Sequence, residues 1–232
     1  MKAVRSLVAG IILGAGALIG SVKADIPKPY FETSLVSDFV SPVGAAIKEE
    51  CRQDLVSLNF GKFNFAIWEN QFLGEKGISE RDYCVTYASK INDKFSGSVG
   101  AQIWDYPNGR FGDFDAVQTA GLNYGGMLNA NLGYAHLVGH DAVKLGDRVT
   151  FGINKSVPVY DGKVKISLTP SLDSAWANNW YGQYGFSQIS AGIKLGVSKG
   201  NLSLDVSGKM QKSLDSKIED LNWGSVGVGY KF

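Results

Sequence analysis

The feature that most constrains this chain is a period-two alternation of side chains, held over segments of about ten residues and repeated along its length. Val56, Leu58 and Phe60 alternate with Leu55, Ser57 and Asn59, and Phe63, Phe65 and Ile67 with Asn64, Ala66 and Trp68. The same pattern returns at Val149, Phe151 and Ile153, at Val164, Ile166 and Leu168, and through Ile189, Ala191, Ile193, Leu195 and Val197. It ends the chain as Val226, Val228, Tyr230 and Phe232. Successive residues of a strand point to opposite faces, so each segment has one apolar face and one that is mostly small, polar or charged. Strands of soluble sandwiches average ~5–6 residues, whereas ~9–11 tilted residues cross a bilayer. The chain therefore reads as strands built to span a membrane.

Tight turns set the register. Two-residue hairpins are expected at Gly61-Lys62, Asp161-Gly162 and Lys199-Gly200. Counting outward from them, Phe60 faces Phe63, Leu58 faces Phe65 and Val56 faces Ile67. Val159 faces Val164 and Val157 faces Ile166; Val197 faces Leu202, Leu195 faces Leu204 and Ile193 faces Val206. In every case apolar meets apolar, so the phases agree. Further short turns fall near Asn92-Asp93 and Gly125-Gly126, and longer polar connections lie at about 41–50, 72–79, 106–113, 138–147, 173–184 and 212–220. Short turns alternating with long loops give about twelve strands: an all-β, antiparallel, up-and-down transmembrane barrel with both termini on the short-turn side.

Composition agrees. Glycine is abundant (29 of 232 residues) and only 19% of residues are charged, which excludes a disordered chain. The formal net charge of +1 gives no reason to expect a nucleic-acid partner. The one long apolar run lies at the N-terminus, behind Lys2 and Arg5, and closes on Val22-Lys23-Ala24 before Asp25. That is the layout of a cleaved signal peptide over 1–24, with an uncleaved anchor as the alternative, and it leaves 25–232 as the barrel.

Motifs for chemistry are sparse. The two histidines, His136 and His140, are too few for a zinc site without other ligands, and rim positions account for them. No nucleotide, metal or nucleophile motif stands in the mature chain, so no catalytic residue, metal or cofactor is expected. Cys51 and Cys84 are the only cysteines; an oxidising compartment favours a disulfide, and two free thiols are the alternative. Trp176, Trp180, Tyr181 and Tyr184 in the loop at 173–184 read either as an interfacial girdle or as a stacking platform for a solute.

The inward parity carries charge. Arg148, Lys163, Lys165, Lys194 and Lys209 share it with Asp205 on the later strands, while Asp38, Asp82 and Asp115 lie on earlier ones. Twelve strands leave room for a narrow aqueous pore, or for a plugged interior whose charges pair off. With Lys194 facing Asp205, the other cations form a basic stripe along one wall, which predicts mild anion selectivity.

The terminal strand, with Tyr230 and Phe232, resembles the sorting signature of bacterial outer-membrane proteins, which implies recognition by the barrel assembly machinery. Ser37-Asp38-Phe39, Glu80-Arg81-Asp82-Tyr83 and Trp104-Asp105-Tyr106-Pro107 resemble three short motifs of the TorF porin family. The resemblance covers about residues 33–125 and implies a porin-like role. The expectation is a non-enzymatic channel in the outer membrane, surrounded by its lipids and passing small hydrophilic solutes. A structural or adhesive barrel without a pore is the alternative, and an outer-membrane phospholipase a more distant one.

Overall fold

A computed structural model describes residues 27–40, 46–47, 49–109, 112, 114–139, 146–216 and 218–232. The leader expected at 1–24 and His140 lie outside them. The elements are β1 (Lys28–Val36), β2 (Phe39–Val40), β3 (Ala46–Ile47), β4 (Cys51–Phe60), β5 (Phe63–Phe72), β6 (Glu80–Lys90), β7 (Phe95–Asp105) and β8 (Phe114–Tyr124). They continue as β9 (Asn129–Gly139), β10 (Gly146–Asn154), β11 (Val157–Asp161), β12 (Lys165–Trp180), β13 (Gln183–Lys199), β14 (Leu202–Ser213) and β15 (Leu221–Lys231).

Each long strand pairs antiparallel with the next in sequence, and β15 returns to β1, so the sheet closes on itself. β11 continues β10 past Lys155-Ser156, and both pair with β12. β2 and β3 form a separate two-stranded ribbon in the connection after β1. Twelve staves result, as expected, and closure satisfies the backbone of every one. The seam brings the first and last strands together: Phe232 N donates to the Pro29 carbonyl at 3.1 Å.

The inside and outside phases match the sequence pattern. Val56, Leu58, Ile67, Leu195 and Leu204 are exposed on the outer face, as they must be to meet lipid. Rings bound this belt at the short-turn end: Phe63 meets Tyr87 with centroids 5.2 Å apart, and Phe95 meets Tyr124 at 5.1 Å. At the loop end charge takes over, with Arg81 Nε 2.6 Å from Glu69 and Arg52 Nε 3.0 Å from Asp54. An apolar band between an aromatic girdle and a charged rim is the surface of a bilayer-spanning barrel.

Register differs from expectation at two turns. The Gly61-Lys62 hairpin pairs Phe60 with Phe63, Leu58 with Phe65 and Val56 with Ile67, as counted. The later hairpin turns on Gly200-Asn201 instead of Lys199-Gly200, so Leu195 faces Val206 and Val197 faces Leu204. Gly200, at a φ of 59°, supplies the left-handed residue that the turn needs. The shift is by two, which preserves every face. Near Asp161 a bulge at Val159 sets Val157 against Leu168 and Tyr160 against Ile166.

The largest departure is at 173–184. The segment is no loop: β12 and β13 run on as a long hairpin with only Tyr181 and Gly182 between them. Leu172, Ser174 and Trp176 continue the outward alternation of β12, and Asp173, Ala175 and Ala177 the inward one.

Candidate functional site

Among the described residues the interior concentrates polar side chains, and they sort by wall. On β13, β14, β15, β1 and β4 the inward residues include Gln188, Ser190, Lys194, Asp205, Ser207, Lys209, Gln211, Trp223, Ser225, Glu32 and Gln53. With Asp38, in the bend after β1, they line a cavity of about 430 Å³. A second polar cavity of about 350 Å³ lies at the short-turn end, among Lys90, Lys94, Asn123, Asn129, Asn131 and Asn154. Hydroxyls and amides dominate both, so they favour water and hydrogen-bonding solutes over apolar ones.

The lysines of the expected basic stripe are not free. Lys194 Nζ lies 3.8 Å from Asp205 Oδ1, as a diagonal pair, because the shifted register sets Lys194 opposite Ser207 and Asp205 opposite Gly196. Lys209 Nζ lies 2.6 Å from Asp173 Oδ2 and 5.9 Å from the centre of the Trp223 ring. Lys165, at the start of β12, is 3.8 Å from Asp161 and largely exposed at the mouth. Lys163 is not in the wall at all; it sits exposed in the turn between β11 and β12. Among the predicted cations only Arg148 keeps an inward position without an ion pair, on β10 opposite Ala135 and Ala177. Asp173 accounts for Lys209, since it stands on the inward face of β12 and not in a loop.

Two apolar clusters narrow the loop end. Val36, Cys51 and Phe72 pack with Trp68 and Trp223 on the β1–β5 side. Trp104, Tyr106, Val117, Leu137, Ala177 and Trp180 pack with Tyr181 on the β7–β12 side. Trp180 crosses Trp104 edge to face at 6.2 Å. Above it Tyr181 bends inward from the hairpin tip and donates its hydroxyl to Asp115 Oδ2, which also accepts from Tyr106 at 3.1 Å. Burial holds both phenols above the ordinary tyrosine range, with the Asp115 carboxylate adding to it, so both stay protonated donors. Glu80, Asp82 and Asp115 are all buried in the same layer.

The aromatic segment thus divides. Trp176 and Tyr184 are exposed on the outside, as a girdle requires, while Trp180 is 1% exposed and Tyr181 covers the interior. The tandem Tyr-Gly pairs of Tyr181-Gly182-Gln183-Tyr184-Gly185 were the available signal for a sharp tip.

Cys51 and Cys84 are both free, against the expected disulfide. Both face inward, but Cys51 is level with Phe72 of β5 and Cys84 with Ala66. Six residues along a strand is about 20 Å, far beyond disulfide reach. His136 faces outward with its Nδ1 2.8 Å from Asp147 Oδ1; its other cross-strand neighbour is Gln118, so neither flanking residue offers a hydroxyl nucleophile.

In sequence, no family model and no curated protein matches this chain. In structure, the KdgM porin superposes with a TM-score of 0.60 at 14% identity, over 88% of this chain and 99% of that one. The NanC porin superposes with a TM-score of 0.59 at 11% identity, over 87% and 100%. The β domain of the Bordetella autotransporter BrkA also superposes, at 0.52 and 9% identity, over 90% and 100%. These likenesses share one architecture, and they establish the barrel fold of this chain.

Proposed function

We propose that this protein is a channel of the bacterial outer membrane through which small hydrophilic solutes diffuse passively. The carrying observation is the polar cavity along the β13–β4 wall, enclosed in a barrel whose outer face is apolar. The porin neighbours support the reading at the level of fold. In this account the leader at 1–24 directs export and is removed. The belt then sits among outer-membrane lipids, and the last strand, ending at Tyr230 and Phe232, is what the assembly machinery recognises.

One KdgM structure is described as a complex with a disordered oligogalacturonate. For this chain, short saccharides fit the lining of serines, glutamines and Trp223. Of the cations expected in the basic stripe, only Arg148 is left to supply a mild anion preference from that wall, since Lys194, Lys209 and Lys165 sit in ion pairs. We therefore place selection in size and hydrogen bonding ahead of charge. Conductance of the purified protein in planar bilayers tests the proposal: ohmic steps support it. Silence favours the second reading, a structural barrel, for which the two apolar clusters at the loop end speak.

A further inference from the structure

We propose that a neutral, polyhydroxylated solute crosses the lumen along a spiral track of polar side chains that runs from Lys90 on β6 to Gln211 on β14 and joins the two polar cavities. The proposal rests on the channel reading and adds to it the path and the residues that select.

The track follows from the register. At the short-turn end Lys90 stands opposite Ser96, Ser96 opposite Asn123, and Asn123 opposite Asn131. All four line the cavity at that end. Asn131 then faces Gly152 of β10, and Gly152 faces Asp173 of β12. Asp173 faces Ser190 of β13, which faces Gln211, and the last two line the other cavity. Lys90 is the last residue of β6 before its short turn, whereas Gln211 stands near the loop end of β14. A row of opposed residues runs perpendicular to the strands, and strands of such barrels tilt by about 35–45°, so the row climbs as it goes round. It passes β6 to β10 and then β12 to β14. With strands ~4.8 Å apart at that tilt, the row rises by roughly 20 Å, most of an apolar band about 25 Å tall.

The track closes where it would otherwise break. Gly152 has no side chain, and its neighbours lean over it from both sides. Asp173 Oδ1 lies 2.6 Å, and the Asn131 amide oxygen 2.8 Å, from the point that a Cβ would occupy. A second row runs alongside, two residues nearer the short turns: Asn129, Asn154, Ser171, Gly192, Lys209 and Trp223. Asn129 Nδ2 donates to Asn154 Oδ1 at 3.2 Å, and the pair of Lys209 with Asp173 ties the two rows together.

The opposite wall offers no such path. There Ser57, Ala66, Cys84, Gln102, Val117 and Leu137 stand successively opposite one another, and the row ends in the apolar cluster of Trp104 and Trp180. Serine hydroxyls and the amides of asparagine and glutamine both donate and accept, as sugar hydroxyls do. A saccharide stepping from strand to strand can therefore exchange one hydrogen bond for the next. A hydrated ion needs no such row, so the track selects by hydrogen bonding and not by charge.

The test uses the full mature chain in liposomes and planar bilayers. Maltotriose is the polyhydroxylated probe, and triethylene glycol is the probe whose chain only accepts hydrogen bonds between its end hydroxyls. The variants are Asn131→Leu, which removes an amide, and Gly152→Ala, whose methyl pushes apart the far ends of Asn131 and Asp173. Thr119→Val, inward on β8 but in neither row, is the control. Maltotriose entry, read by liposome swelling, should fall several-fold in both variants. Triethylene glycol entry and KCl conductance should stay at the wild-type level, and Thr119→Val should change nothing. An equal fall for sugar and glycol would mean a narrowed pore. That result, unchanged maltotriose entry, or an equal fall in Thr119→Val would overturn the track. If no protein conducts or swells, the channel reading fails and calorimetric titration with maltotriose decides. Binding that weakens in Asn131→Leu but not in Thr119→Val supports the row as a saccharide surface, and any other result overturns it.

Discussion

Lys209 of β14 reaches across β13 to meet Asp173 of β12, Nζ to Oδ2 at 2.6 Å. Lys194 of β13 leans toward Asp205 of β14 in the same wall. Paired charges give little net field in a water-filled space, and salt screens what remains. A KCl gradient across a bilayer should therefore give a reversal potential near zero in the wild type. Asp173→Asn, which frees Lys209, should move it toward anion selectivity, while Lys163→Glu, in the turn, should leave it unchanged. Clear anion selectivity in the wild type that persists in Arg148→Gln would count against closed pairs as the reason for weak selectivity.

Leu195 stands on the outward face of β13, opposite Val206, and is 41% exposed. Leu195→Arg should cost about 2–4 kcal/mol of folding stability near mid-bilayer. Denaturant titrations in lipid vesicles would measure it. Wild-type stability would mean that this face does not meet hydrocarbon.

Phe232 is 69% exposed, and its ring stacks edge-on against Tyr230 at 4.8 Å. So exposed a ring adds little to the barrel itself. Deleting it should lower the amount assembled in the outer membrane while refolding in detergent stays normal. Unchanged surface levels would remove the sorting role.

Cys51 and Cys84 should both react with a maleimide once the protein is unfolded without reductant. A single mobility on gels with and without reductant should accompany this. Protection of both thiols would require one strand to slide by several residues against the register found here.

The alternation made the barrel, its strand number and its faces legible, because lipid outside and water inside leave each side chain a binary choice. What it could not reveal was pairing across the interior. Lys209 and Asp173 are 36 positions apart with a whole strand between them, and no local pattern joins them. The same holds for Tyr181 and Asp115, whose contact is made from the turn of the β12–β13 hairpin. Polarity misled at 173–184 for a related reason: serine, asparagine and glycine read as loop, although strands that rise beyond the membrane can be polar on both faces. The three segments that resemble TorF motifs match no family model, yet their residues meet in the fold. Glu80, Asp82, Trp104 and Tyr106 come together at the loop end of the interior, and Asp38 lies at the same end.

The seam between β1 and β15 has a consequence for how the chain could be re-cut. Since Phe232 N touches the Pro29 carbonyl, a short linker could join the two ends of the barrel segment, and new ends could be opened at Gly61-Lys62 without losing a ladder. The ring of hydrogen bonds would be the same, but a different strand would be synthesised last. Such a circular permutant would separate the ability to form the cylinder, which belongs to the ring, from the sorting address proposed for the end of the polypeptide, which would belong only to whichever strand comes last.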